Sequence, residues 1–506
     1  MNAQFKVKRL LILVTLVPLI FILSSTVYPQ NMSQGNNTVP DSLIKSIVTN
    51  FIKALNSGDR EAMQDFIVQS YDKNVLKRIP ISSVVSLNMA FYYETGGLGF
   101  ELKNLLPSEG NLVSAELLNK LTESNVKLLI PVSAAPDFKI NWFIKADPIP
   151  KIMSANQVEK LSDNKIVERT KVALNKMDDD EEFSGTVLIA KNGTILLEEA
   201  VGEANKSYKV LNNVDTKFNM ASVGKMFTGL AIIQLAEKKK LSFDDYLGKY
   251  IPADWLNPEI SNKIQIKHLL THTSGLGDYF RDAYQQCVIQ VFRDLDDYKS
   301  LIVDDSLTFE PGAKFSYSNT GMLLLGLVIE KITGEEYFNY LQQNIFEPAG
   351  MVNTGGFYKD RPVENRATGY TKIYENGIAA WNNHQFTRVM RGSPSGGVYS
   401  TIKDLLKFDI ALRSNKLLSK EYSKFLFEGR PELNASIHSY AFFMSNGEAG
   451  HVASHQGDGQ GVNCQFKMYL DSGYTVVVLS NYSRPSADVV GNVIDQLINT
   501  NSLQND

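Results

Sequence analysis

Three short phrases in this 506-residue chain carry residue types that perform acyl transfer. The first is Ser222-Val-Gly-Lys225, which opens a segment with Met226, Phe227, Leu230 and Ile233 at helical spacing and Lys238 to Lys240 at its far end. At i and i+3 on a helix, a serine and a lysine are neighbours. A serine hydroxyl is a poor nucleophile until an adjacent base takes its proton. A lysine serves as that base if burial or nearby charge lowers its pKa; otherwise it stays charged and polarises the site. The helix N-terminus adds partial positive charge near the developing alkoxide. The second phrase, Tyr317-Ser318-Asn319, ends a loop and runs into the apolar segment T-G-M-L-L-L-G-L-V-I-E. A phenol held there acts as a base if a neighbouring ammonium stabilises the phenolate. The third, His455-Gln456-Gly457, enters the C-terminal strands. A strand edge supplies a backbone N–H to an oxyanion, and losing one such donor costs about 100- to 1000-fold in rate. The glycine lets a substrate approach the backbone closely.

No one phrase is specific. The S-x-x-K spacing recurs at Ser42/Lys45 and Ser400/Lys403, and Y-x-N recurs at Tyr374/Asn376. Taken alone, Tyr317 also fits a structural loop tyrosine. The order S-x-x-K, Y-x-N, H-x-G resembles the class C β-lactamases and their penicillin-binding-protein relatives, which include D-alanyl-D-alanine carboxypeptidases, D-aminopeptidases and carboxylesterases. The phrases F-S-G-T-V-L-I-A, L-L-T-H-T-S-G-L and G-G-V-Y-S-T-I-K-D-L support that resemblance over about two thirds of the chain. It implies that Ser222 is acylated, that Lys225 and Tyr317 share the base role, and that Asn319 hydrogen-bonds the substrate. It also implies an oxyanion hole made by the N–H groups of Ser222 and of Asp458, just after His455-Gln456-Gly457. His272 is expected to be structural. The chemistry implied is metal-free and cofactor-free, on a small-molecule or peptide acyl substrate: a D-amino-acid peptide, a small ester or a β-lactam. The alternatives are a true β-lactamase, or a non-hydrolytic binder of cell-wall fragments on the same fold.

One departure matters. The β-lactamases of this group carry lysine where this chain has His455, and histidine is mostly neutral near pH 7. His455 is accordingly expected to bind the polar end of the substrate, more strongly when protonated. The pair His451/His455 has no third ligand nearby and is not read as a metal site.

The elements that must position these residues read as α+β. Ser162 can cap a helix with Ile166, Thr170, Leu174 and Met177 on one face; the acidic run Asp178 to Glu182 reads as its solvated end. V-L-I-A and T-I-L-L flank Asn192-Gly193, a strong hairpin cue, and a second hairpin turns at Asp471-Ser472-Gly473. A last amphipathic helix covers Ala487 to Ile498. An antiparallel sheet drawn from both ends, with a helical insertion, makes 164–506 a β-lactamase/transpeptidase-like domain. Its pocket walls are expected from 280–310 and 355–395. Upstream, Ile44, Ile47, Val48, Phe51, Ile52 and Leu55 recur at helical spacing, followed by a short helix with Met63, Phe66 and Ile67. Phe138, Ile140, Trp142 and Ile144 alternate like a half-buried strand. With the phrase F-I-K-A-L-N-S-G-D, residues 41–150 resemble the cone-shaped nuclear-transport-factor-two-like domains. A packing or docking role is expected there. A linker, 151–163, joins the two domains.

A net charge of -4 and a 21% charged fraction leave no basic stripe for nucleic acid. Lys6, Lys8 and Arg9 precede an apolar run from Leu10 to Leu23, so residues 1–30 read as a secretory signal, or else an uncleaved membrane anchor, with 31–40 as a spacer. The chain is expected to be exported, periplasmic or extracellular. Cys287 and Cys464 read as buried thiols rather than a disulfide framework.

Overall fold

The computed structural model describes residues 39–146, 161–280, 292–375, 378–385 and 389–500. The signal or anchor segment, Cys287, Asn376 and nearly all of the linker lie outside them. The described residues divide into two compact units, 39–85 with 100–146 and 86–99 with those from 161 to 500.

In the first unit the helical stripe becomes α1 (Asp41–Asn56), which buries Ile44, Val48, Phe51, Ile52 and Leu55. Helix α2 (Arg60–Ser70) buries Met63, Phe66 and Ile67, and the Asp59 carboxylate caps it by accepting from Glu61 N at 2.8 Å. After α3 (Lys73–Arg78) and α4 (Ile81–Tyr93), the strands β1 (Phe100–Glu109), β2 (Leu112–Asn119), β3 (Asn125–Pro131) and β4 (Ile144–Ala146) form one antiparallel sheet in that order. Val113, Ala115, Leu117, Val126, Leu128 and Ile130 turn inward from it. Of the strand expected over 138–144 only Ile144 lies in one, opening β4 opposite Leu129. Before it, Ser133 and Lys139 close a loop on each other, Phe138 sits at a φ of 42°, and Ile140 makes isolated bridges to Tyr71 and Val132. That loop uses the backbone groups an alternating pattern would otherwise offer to a sheet. Ser86–Gly99 groups with the second unit although it falls inside 41–150; there Asn492 Nδ2 donates to the Glu94 carboxylate at 3.0 Å.

The second unit opens with α5 (Asp163–Asp179), whose first turn is capped by Ser162 Oγ accepting from Lys165 N. The acidic end is ion-paired: Asp180 with Lys176 at 2.9 Å, Glu181 with Lys206 at 3.2 Å and Glu182 with Lys372 at 3.0 Å. Strands β5 (Gly185–Lys191) and β6 (Thr194–Val201) follow, joined at Asn192-Gly193 with both φ positive. The other elements needed below are β7 (Phe218–Asn219), α6 (Lys225–Glu237), α7 (Asn319–Thr333), β8 (Tyr399–Ser400) and α8 (Ile402–Arg413). Then come β9 (Phe443–Gly447), β10 (Gly450–Gly459), β11 (Val462–Tyr469), β12 (Tyr474–Ser480) and α9 (Ser486–Thr500). The main sheet has the order β9-β10-β11-β12-β5-β6, all antiparallel. Every residue of β12 is buried. Val477 and Leu479 join the main core shared with α6 and α8, whereas α9 packs on the same strand and on α5.

Helix α6 differs from the one-faced helix its sequence suggests. Every residue from Lys225 to Ala236 is buried, because the helix runs through the core rather than along its surface. Phe227 meets Phe346 and Phe408 edge-on, with ring centroids 5.0 Å away in each case. Truncating a ring packed on both sides leaves a cavity, so Phe227→Ala should cost about 3–5 kcal/mol. Urea unfolding of the variant checks this, and a loss below about 1 kcal/mol would mean the core refills around the site.

Candidate active site

Ser222 stands in a turn of 3-10 helix, Ala221–Gly224, that leads directly into α6. Ala221 just before it has a φ of 42°, a left-handed conformation costing about 1–3 kcal/mol in a residue with a side chain. Neighbours impose it: Asn219 Oδ1 accepts from Ala221 N at 2.8 Å, and Gly397 N donates to the Ala221 carbonyl at 3.0 Å. A Cβ on Gly396 would come 2.4 Å from that carbonyl oxygen. The G-G-V-Y phrase thus brings a backbone without side chains against the turn that presents Ser222. As the first turn of a helix, it leaves Ser222 N–H without an intrahelical acceptor.

Lys225 is 1% exposed. Its Nζ lies 3.0 Å from Ser222 Oγ and also donates to the Ser395 carbonyl. Among the described residues no carboxylate pairs with it. Burial pushes its pKa down to about 7, partly opposed by the carboxylate of Asp278. The Tyr317 phenol lies beside Ser222, and its ring centroid is 4.9 Å from Lys225 Nζ. Burial raises the phenol well above its ordinary value, beyond what the Ser222 contact offsets. Of the two candidate bases, only the lysine is brought into the neutral range.

The loop carrying Tyr317 is pinned by T-H-T-S-G. His272 O accepts from Ser316 N at 2.8 Å, its Nδ1 accepts from Ser318 N at 3.2 Å, and its ring lies against Tyr317, tilted by 31° with centroids 4.4 Å apart. Ser318 Oγ caps α7 by accepting from Gly321 N. Asn319 donates through N and Nδ2 to Asp278 Oδ2, at 3.1 and 2.7 Å. One of its two amide N–H groups is therefore held by protein, and the other, with the carbonyl oxygen, is left to meet a substrate.

His455 departs from its expected role. It is 1% exposed, its Nδ1 is 2.9 Å from the Gln456 carbonyl, and its buried Nε2 has no hydrogen-bond partner. Burial, then the charge of Lys225, pushes its pKa down to about 3. A ring so placed stays neutral and enclosed, so it does not act as a titrating cation for the substrate near neutrality. His438, which no sequence pattern signals, makes the same arrangement: Nδ1 on the Ser439 carbonyl, Nε2 buried and unpartnered, pKa pushed down to about 4 by burial. Phe443 separates the two rings at 4.7 and 5.5 Å.

Strand β10 pairs with β9 only as far as Ser454, so Gly457 and Asp458 pair with β11 alone and their other edge faces the nucleophile turn. A Cβ on Gly457 would lie 2.1 Å from the Met220 carbonyl oxygen. His451, four residues before His455 on one strand, is about 13 Å away by strand rise. It is exposed and paired with Asp471 at 2.8 Å, so the two histidines do not form a metal pair. Ser42 and Lys45 sit exposed on α1, and Ser400 and Lys403 straddle β8 and α8, where Ser400 bonds Thr354 and Lys403 pairs with Glu198 and Asp215. Cys464 is buried, its Sγ–H donating to the Asn219 carbonyl at 3.4 Å. Asp278 and Ser395 are the functional neighbours that motif reasoning missed. The aspartate stands two residues past the T-H-T-S-G-L phrase, and the serine acts through its backbone.

Two measurements follow from this geometry. With Lys225 as base, acylation by a 4-nitrophenyl ester should rise about tenfold per pH unit on the acid side and level off above about pH 7. A limb near pH 10 would exclude it. Over pH 5.5–8 the KM for an anionic substrate should stay flat, since His455 does not titrate there. Separately, Gly457→Ala should force β10 away from the nucleophile turn and lower kcat by about 100-fold or more. Stopped-flow rates on the folded variant decide this, and an unchanged kcat would remove β10 from the oxyanion site.

The sequence model of the Beta-lactamase family matches residues 171–498. Penicillin-binding protein 4* of Bacillus subtilis is 31% identical over 318 residues, 59% of this chain and 68% of that protein. Among solved structures, a penicillin-binding protein from Bacillus halodurans shares 32% identity at a TM-score of 0.58, covering 64% of this chain and 98% of that one. A D-stereospecific amidohydrolase from Streptomyces sp. aligns at a TM-score of 0.53 and 23% identity over 61% of this chain and 93% of that one, a likeness of fold.

Proposed function

The chain belongs to the beta-lactamase family, and from that premise we propose that it is a serine hydrolase forming an acyl-enzyme on Ser222. The single observation that carries this reading is the buried Lys225 amine, its pKa lowered by burial to about 7, lying 3.0 Å from Ser222 Oγ with the Tyr317 ring beside it. Lys225 Nζ takes the Ser222 proton as Oγ attacks the carbonyl carbon. The N–H groups of Ser222 and Asp458 receive the oxyanion. As the bond to the leaving group breaks, the proton passes to it from Lys225 through the Tyr317 hydroxyl. Water then attacks the ester on Ser222, its proton returning along the same groups, and the acid is released.

The substrate is an amide or ester of small size: a D-amino-acid peptide, a small ester or a β-lactam. Replacement of the usual lysine by an enclosed, neutral His455 favours peptides and esters over β-lactams, whose carboxylate would lack that cation. The apolar N-terminal run supports placing the hydrolase outside the cytoplasm.

Intact-mass spectrometry after treatment with a fluorophosphonate and with a fluorescent β-lactam tests the nucleophile. One adduct on wild type, mapped to Ser222 and absent from Ser222→Ala, is expected, with the fluorophosphonate reacting faster. Equal labelling of the mutant would place the nucleophile elsewhere.

A further inference from the structure

Each residue of the Tyr317-Ser318-Asn319 phrase is held by the segment 272–278. His272 lies against Tyr317, Gly277 O accepts from Ser318 Oγ at 2.8 Å, and Asp278 Oδ2 accepts from both Asn319 N and Asn319 Nδ2, at 3.1 and 2.7 Å. The last contact differs in kind, because it sets a carboxylate on the residue expected to meet the substrate. Asn319 opens α7, so its backbone N–H has no intrahelical acceptor, and a negative charge is favoured at that end of the helix. An ionised carboxylate only accepts, so the Nδ2 end of the Asn319 amide must face Asp278 and its Oδ1 end must face away. The other oxygen, Asp278 Oδ1, accepts from Phe280 N at 3.0 Å, which keeps the carboxylate from swinging.

The same stretch of chain reaches the lysine. Tyr279, next to Asp278, bonds Ser395 Oγ through its hydroxyl at 2.5 Å, and the Ser395 carbonyl is the acceptor of Lys225 Nζ. Ser395 stands at the end of the expected wall segment 355–395. Thr228, three residues after Lys225 on α6, donates to the neighbouring Pro394 carbonyl at 2.7 Å and so ties that wall to the helix. Around the Lys225 amine stand the Tyr317 phenol from the loop before α7, His272, His438, and His455 from β10, and burial keeps each of them neutral near pH 7. Among the described residues Asp278 is then the one charge that bears on the amine.

We propose that Asp278 is a positioning residue for acyl transfer: its carboxylate fixes which end of the Asn319 amide faces the substrate and stands as the single negative charge beside the lysine. The assignment rests on the serine-hydrolase reading. Asp278→Asn keeps the size of the side chain but offers a donor as well as an acceptor, so the Asn319 amide is free to turn over. On the plateau above about pH 8, kcat/KM of the full chain for a 4-nitrophenyl ester should fall about 10- to 100-fold. Asn319→Ala should cost a comparable factor, and the double variant should be no slower than Asn319→Ala alone, because Asp278 acts through that amide. Losses that multiply would mean that Asp278 supports the fold at large, and they overturn the assignment. Asp278→Glu, which keeps the charge but displaces its oxygens by one methylene, enters the same cycle and decides the matter if Asp278→Asn does not fold. The pH profile reads the charge. Asp278→Asn removes the group that opposes the desolvation of Lys225, so the acid limb should move below its wild-type midpoint of about 7, whereas Asp278→Glu should leave it there. A limb unmoved in Asp278→Asn overturns the placing of that charge at the lysine. Wild type that neither turns over the ester nor is labelled at Ser222 by the fluorophosphonate overturns the hydrolase reading and this assignment with it. Turnover by wild type with multiplying losses overturns this assignment alone.

Discussion

An amine enclosed in the protein with no carboxylate against it constrains everything around Ser222. A lysine so placed loses hydration that no opposite charge replaces, and its neutral form becomes accessible near pH 7. The rest of the site keeps it that way. Its one strong acceptor is an uncharged carbonyl, that of Ser395, and the imidazoles around it are neutral. Asp278 is the charge that acts against this, and its oxygens are occupied: Oδ2 by Asn319 and Oδ1 by Phe280 N at 3.0 Å. A carboxylate one position closer to the amine would restore the ammonium and leave the serine without a base.

Such a site needs a rigid support. Helix α6 gives Lys225 a fixed origin because it is packed on every side. The nucleophile turn is gripped between two backbones, that of Gly396-Gly397 on one side and that of Gly457 on the other, at distances that exclude even a methyl group. Tyr317 arrives on a loop clasped by His272 and capped into α7 by Ser318. The glycine contacts hold by main-chain groups, whereas the Tyr317 loop is held by the side chains of His272 and Ser318.

What the sequence discloses follows from how each residue acts. Ser222 and Lys225 are neighbours within one helical turn, but they and Tyr317 stand out only through the order of S-x-x-K, Y-x-N and H-x-G along the chain, since each phrase alone recurs or has a structural reading. The hairpins at Asn192-Gly193 and Asp471-Gly473 and the stripe of α1 are legible because turn chemistry and periodicity are local. Ser395 is hidden because its contribution is a carbonyl, which any residue type supplies. His438 and the enclosure of His455 depend on Phe443 and other distant elements, so the charge state of His455 cannot be read from its own motif. In the first unit, 138–144 alternates like a strand, yet ahead of Ile144 a loop closed between Ser133 and Lys139 takes its backbone bonds.

The place of β12 has a consequence for how the molecule comes into being. This strand lies between β5 and β11, and its Tyr474 stands opposite Lys191, 283 positions earlier in the chain. One edge of β5 is therefore satisfied only by a segment 283 positions further along the chain. Pairings of such span carry a large loop-closure cost and form late. Until then the sheet stands in two pieces, β5-β6 on one side and β9-β10-β11 on the other, and β12 is what joins them.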